Sequence, residues 1–234
     1  MSDVDLYKNR KRKARLAGIG WTIVAFAAWP DMVRRTLFVF GDAAATGRNI
    51  VANAQVFRMS MLGDIVTEIA FLLTALILFD LLRYAGKTAA RAMLSMVVIA
   101  VTMAIFKTGA ELAALGFFET GDQAHGMLLI ELFQASAVPT SVFFGLWMLP
   151  LGYLFFVSGF MPRALGVVLL IGSTGYVIHS IFVIAAPGVS EKAVLLSVAA
   201  EVATIVWLLV SGVRRPVRAD EPRSTGASAA GAAQ

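Results

Sequence analysis

"GDIVTEIAFLLTALILFD", residues 63 to 80, decides how this chain folds. With its neighbours it is long enough to cross the hydrocarbon core of a bilayer, which takes about 20 apolar residues of helix. A helix satisfies its own backbone in lipid, so such a run reads as a membrane span. It nevertheless carries Asp64 and Glu68 one helical turn apart, on one face. Charge inside a bilayer costs about 2.5 to 3.5 kcal/mol per residue at mid-span, and residues that bear it turn toward the interior of a bundle. Asp64 and Glu68 therefore point to an internal polar site.

The rest of the chain agrees with a membrane setting. Of 234 residues, 59% are hydrophobic and 15% charged, and the mean hydropathy is +0.79. A soluble domain has about 45 to 50% apolar and about 25% charged residues. There is no cysteine, which excludes disulfides, thiolate catalysis and cysteine-ligated metal. The two histidines, His125 and His179, do not make a metal or haem site by themselves.

Six segments fit a crossing: about 16 to 37, 57 to 83, 89 to 117, 138 to 159, 164 to 186 and 192 to 213. The expected fold is an all-α, polytopic membrane bundle of six transmembrane helices. Residues 1–15 form a basic N-terminus, 16–213 the transmembrane domain with an external segment at about 38–56, and 214–234 a basic, then disordered, tail. "KNRKRKAR" (8–15) and "RRPVR" (214–218) flank the apolar region, and Arg83, Lys87, Arg91 and Arg163 fall in connections on the same side. "ETGDQAH" and "PGVSEK", on the other side, are neutral or acidic on balance. The positive-inside rule then puts both termini in the cytoplasm, with the basic segments against anionic lipid. That placement accounts for the basic runs without nucleic acid.

The external connection holds Arg34, Arg35 and Arg48 and is the longest, so it reads as an ordered cap: "GDAAATGRN" (41–49) would act as a lid, with Asp42 or Asn49 capping a short helix. Pro139 in "ASAVPTS" suggests that 125–137 is a separate external or interfacial helix joined by a kink to the span beginning at 138.

Depth follows from counting. At 1.5 Å per residue, Asp64 and Glu68 lie about 10 and 16 Å from the external end of their helix, and Glu111 and Lys107 about 9 and 15 Å down the next. Glu68 then matches Lys107 as an ion pair. Asp64 matches Glu111, and two carboxylates at one depth should not both ionise: one would hold a raised pKa, or they would share a proton or a cation. Glu201 lies near the level of Glu68, and His179 lies about 12 Å down its own helix. Asp64, Glu68, Lys107, Glu111, His179 and Glu201 form the candidate pocket, with Asp42, Asn49 and Arg58 at its external cap. Three functions suit such a set: binding or passing a small solute or proton, fixing helix register in a scaffold or accessory subunit, and chemistry on a lipid or isoprenoid. The last lacks any visible nucleophile or metal set, and no catalytic residue or cofactor is assigned. A protein partner or homo-oligomer fits the scaffold reading.

"GSTGYVIH" (172–179) orders its residues unlike the Gly-x-Ser-Gly of intramembrane serine proteases, and its histidine shares the serine's helix. Gly166, Gly172, Gly175 and Ser180 instead suit close helix packing. Trp21, Trp29, Tyr153, Tyr176 and Trp207 read as core or belt residues.

Three longer pieces, "GDAAATGRNIVANAQVFR" (41–58), "FFGLWMLPLGYLFFVSGFMPRALGVVLLIGSTGY" (143–176) and "EVATIVWLLVSGV" (201–213), together with Asp64, carry a resemblance. Over about residues 14–214 the chain resembles the bacterial membrane family catalogued as domain of unknown function 4386. The resemblance implies a six-helix inner-membrane protein without an established activity. It singles out Asp42, Asn49, Arg58, Asp64, Arg163 and Glu201. This chain departs from it at Trp147, where members often have His, and at His179, where they often have Asp, so chemistry that used that pair does not carry over.

Overall fold

The computed structural model describes residues 3–27, 29–185 and 192–214. Among them every regular element is an α-helix: α1 (Asp3–Ala27), α2 (Trp29–Arg35), α3 (Ala43–Ala52), α4 (Ala54–Leu82), α5 (Lys87–Glu119), α6 (Gln123–Leu146), α7 (Met148–Val157), α8 (Arg163–Ala185) and α9 (Lys192–Val210). Five segments among the described residues are long and apolar enough to cross a membrane: α4, α5, α6 with α7, α8, and α9. Their outer faces keep large apolar side chains exposed, including Ile65, Ile69 and Leu73 on α4 and Ile105, Phe106 and Leu112 on α5. Water would penalise so much contiguous apolar surface, whereas lipid matches it.

The first expected span differs. The opening half of α1 is the basic run, leaving only Leu16–Ala27 apolar. Those residues reach about 18 Å, short of a core about 30 Å thick. Pro30 has no amide to continue the ladder of α1, and α2 is a separate short helix packed on α4.

The expectation at Pro139 is also corrected. Instead of an external helix 125–137 followed by a span from 138, α6 runs through Pro139 and ends at Leu146. The interruption falls at Trp147 because Pro150 can neither donate to the carbonyl of Leu146 nor fit its ring against it. The "PGVSEK" connection and the tail from Asp220 lie outside the described residues, apart from Lys192 at the start of α9.

The long helices close into a ring: α1 packs on α4, α4 on α5, α5 on α6, α6 and α7 on α8, α8 on α9, and α9 back on α1. One apolar core, built on Leu78, Leu82, Met93, Leu151, Phe155 and Phe160 among others, fills the end where the basic segments gather. There the Arg10 guanidinium lies 4.5 Å from the Tyr84 ring and 5.2 Å from the Phe160 ring. Lys13 and Arg83 both pair with Asp80, and the amide of Arg214 donates to the carbonyl of Phe160 at 2.8 Å.

A second core occupies the other end, where α3 lies across α5 and α6 and brings Ile50 against Phe57, Leu115, Phe118 and Ile130. The segment expected at about 38–56 thus carries a packed helix, α3. Asp42 is its N-cap, its carboxylate accepting from the amide of Ala45 at 2.8 Å. Asn49 instead donates to the carbonyl of Leu37 at 3.2 Å, and Arg58 pairs with Glu119 at 2.6 Å on the surface. Asp122 caps α6, where hydrogen bonds from the His125 amide and ring hold its carboxyl below the ordinary carboxylate range. That contribution is present above the ordinary carboxylate pKa and fades as the carboxyl protonates in acid. Asp42→Ala removes an N-cap acceptor and is expected to lower stability by about 1 kcal/mol. A thermal melt of the purified protein in detergent checks this, and an unchanged melt would mean that the cap leaves α3 unaffected.

Candidate functional site: a charged cavity between two apolar cores

Between the two cores lies a layer that is neither dry nor apolar. One boundary of it is an ion triad. Arg34 of α2 is 1% exposed; its Nη1 donates to Asp64 Oδ2 at 2.7 Å, and its Nε lies 3.0 Å from Glu111 Oε1. Glu111 is fully buried. Asp64 and Glu111 do meet at one depth, as their positions along α4 and α5 require, and the cation they share is a guanidinium of the chain itself. A planar fork with several donors suits two carboxylates at once better than a lysine ammonium does. Sequence reasoning placed Arg34 in an external connection. The one available signal was Pro30, which ends α1 and lets α2 lean back onto α4.

Beside the triad is a cavity of about 410 Å³ reached by α1, α2, α4, α5, α6, α8 and α9. This is within the range of small-molecule sites, about 300 to 1,000 Å³. Asp64, Glu68 and Glu201 stand on its wall with Arg34, Arg35 and Lys107. The three cations group around Phe133, with Lys107 Nζ 4.9 Å, the Arg34 guanidinium 5.1 Å and the Arg35 guanidinium 5.7 Å from the ring centroid. Toward the basic end the wall turns aromatic. Trp21 and Trp147 lie 4.9 Å apart, Phe71 and Trp147 5.1 Å in an edge-to-face contact, and Phe71 and Phe144 5.4 Å. Tyr176 continues this wall and interacts with the Glu201 carboxylate through its hydroxyl.

Two wall groups are buried with unmet bonding. Glu68 is 7% exposed and Trp147 is 1% exposed; Glu68 Oε2 and Trp147 Nε1 have no hydrogen-bond partner. Buried polar atoms are nearly always bonded; these two belong to residues on the cavity wall, where water or a bound group has room to complete them. The threonines on the wall do not fill this role: Thr67, Thr108 and Thr140 turn their hydroxyls back to carbonyls of their own helices.

Of the six pocket residues expected from sequence, Asp64, Glu68, Lys107 and Glu201 are on the wall, and Glu111 lies behind it with Arg34. His179 is off the wall, on α8, with its Nδ1 buried and unbonded. Asp42, Asn49 and Arg58 are on or beside α3, away from the cavity wall. Sequence reasoning missed Arg34, Arg35, Phe133 and Trp147 as wall residues and read Tyr176 as core or belt. Among the described residues no group of three or more His, Asp or Glu side chains is arranged to hold a metal ion.

Helices clad in apolar side chains and closed around buried charge define a multi-pass, all-helical membrane protein. The chain belongs to the family described as "Domain of unknown function (DUF4386)", whose model matches residues 16–212, from the apolar half of α1 to the end of the last helix. It is similar to an uncharacterized protein of Archaeoglobus fulgidus, with 34% identity over 71 residues, a stretch covering 30% of this chain and 43% of that one. The chain thus spans less than half the length of that relative. No solved structure matches.

Proposed function

We propose that the protein crosses a bacterial inner membrane six times, with both termini in the cytoplasm, and binds or passes a small solute in its central cavity. The first crossing is α1 with α2. Its support is the place of α1 in the ring between α4 and α9, with the lysines and arginines of its first half reaching to the interface. Orientation rests on the basic residues collected at one end, which anionic cytoplasmic lipid favours. The α3 cap then faces outward.

The observation that carries the solute-binding reading is the unmet bonding of Glu68 and Trp147 on the wall of a cavity of ligand size. The alternative is a non-transporting scaffold or accessory subunit, and the Arg34 triad alone would suit it, because it ties α2, α4 and α5 together through charge. A third reading, an enzyme of lipid or isoprenoid substrates, has no nucleophile in its support.

The first two readings differ in what the cavity groups do for stability. Groups kept for a ligand can be replaced by neutral isosteres without loss, often with gain. Glu68→Gln is expected to melt at or above the parent temperature in detergent. A fall of more than about 4 °C, the shift that about 1 kcal/mol produces in a domain of this size, would favour the scaffold instead.

A further inference from the structure

We infer that the solute is a small organic ammonium ion with an apolar body and an oxygen acceptor near the charge. This rests on the solute-binding reading above and deepens it.

Charge supplies the first argument. Among the described residues on the cavity wall or directly behind it, Asp64, Glu68, Glu111 and Glu201 are four carboxylates, and Arg34, Arg35 and Lys107 are three cations. With every group ionised the cluster has one negative charge in excess. Uncompensated charge is expensive in a low-dielectric interior, and one monovalent cation makes the layer neutral.

The wall decides what kind of cation. A divalent metal wants several oxygen ligands, carboxylates foremost, and among the described residues no group of three or more His, Asp or Glu side chains is arranged to hold one. Instead the inner part of the cavity presents the rings of Trp21, Phe71, Phe144, Trp147 and Tyr176. Aromatic faces attract desolvated organic cations and accept their apolar bodies, which a hydrated metal ion cannot exploit. Glu68 enters from α4 and Glu201 from α9 beside these rings, so an ammonium held here touches carboxylate and aromatic face together.

The unmet atoms add direction. Glu68 Oε2 only accepts as a carboxylate, so its complement is an N–H donor carrying positive charge. Trp147 Nε1 only donates, so its complement is an oxygen. A hydroxyl or carbonyl close to the ammonium would meet both. The three cations line the same cavity and are drawn together around Phe133, Lys107 standing close enough to act on Glu68. That ring is eleven residues before Phe144, or about 16 Å along α6.

The test uses the full-length protein in lipid nanodiscs and three probes with the same ring and hydroxyl: 2-amino-1-phenylethanol, neutral 1-phenylethanol and anionic mandelate. Binding is read by calorimetry and by tryptophan fluorescence. The amine is expected to bind at least tenfold more tightly than either relative. Glu68→Gln is expected to weaken it by about tenfold or more, the effect of removing one charged hydrogen bond, while the empty variant melts at or above the parent temperature. Glu201→Gln provides a second variant should Glu68→Gln fail to fold. Binding of the alcohol or of mandelate as tight as that of the amine overturns the ammonium assignment and leaves solute binding standing. Amine binding that neither variant changes places it outside this cavity and also overturns the assignment. Failure of all three probes, with the amine leaving the melt of parent and variants untouched, removes both the assignment and the solute reading, and a proton then neutralises the layer.

Discussion

Arg34→Met should be the most damaging single substitution in the molecule. It leaves Asp64 and the fully buried Glu111 facing one another without the guanidinium that lies within 3.0 Å of both. Breaking a buried ion pair from one side costs about 3 to 5 kcal/mol, because the remaining charge stays desolvated. The variant is expected to express poorly and to melt far below the parent in detergent. Arg34→Lys keeps the charge but loses the fork and should fall between the two. The triple variant Arg34→Met, Asp64→Asn, Glu111→Gln removes all three charges together and should recover most of the loss, since neutral replacement of a whole buried charge group is often close to neutral in stability. Thermal melts of the four proteins decide the matter. A single variant that melts with the parent would mean that Arg34 is not the counter-ion, and a triple variant no better than the single would mean that packing of the side chain, not charge, is what matters.

Gly166→Val is expected to have the next largest effect. α7 and α8 cross where Gly152 and Gly166 face each other, and a Cβ on Gly166 would stand 2.6 Å from the carbonyl oxygen of Gly152 and 2.8 Å from the amide nitrogen of Phe156. A Cβ on Gly152 would likewise stand 2.8 Å from the oxygen of Gly166. These obstacles are backbone atoms, so no rotamer change relieves them and the helices must part. Overpacking of this kind costs about 1 to 3 kcal/mol, occasionally more. Gly116 on α5 supplies the control: its added Cβ meets nothing within 4 Å, and Gly116→Ala should be neutral or stabilising by up to about 1 kcal/mol. Comparable losses at Gly166 and Gly116 would show that helix propensity, not close approach, governs both positions.

The glycines of α8 were legible beforehand because small residues in an apolar helix have few other uses. Gly166 meets α7, while Gly172 and Gly175 meet Ala200 and Ser197 of α9. Ser180 bonds the Ser141 hydroxyl of α6 at 2.6 Å. Depth was legible for a similar reason: the fixed rise of a helix brought Asp64 level with Glu111. Rotation about the helix axis was not. A span that is apolar on every side gives no stripe to show which face turns inward, so His179 was drawn into the pocket and Trp147 left out. Arg34 was hidden for another reason. It sits on a helix of seven residues whose direction is set by tertiary contact, and its charge read most simply as a loop residue facing water. Of the two prolines near the middle of the chain, Pro139 drew the boundary by its place in a small polar stretch, while Pro150, inside an apolar run, made the break.

The triad also sets an order for the making of the protein. Arg34 leaves the ribosome before Asp64, and Asp64 well before Glu111, so the three charges enter the membrane separately. Until α5 has been threaded, the growing chain holds Arg34 with Asp64 but not with Glu111. Once α5 arrives, its buried carboxylate stays ionised at low cost only by docking against Arg34, and otherwise takes up a proton. Biogenesis therefore has a late commitment point near the middle of translation, and a nascent chain halted before residue 111 would remain loosely assembled, open to quality control by membrane proteases.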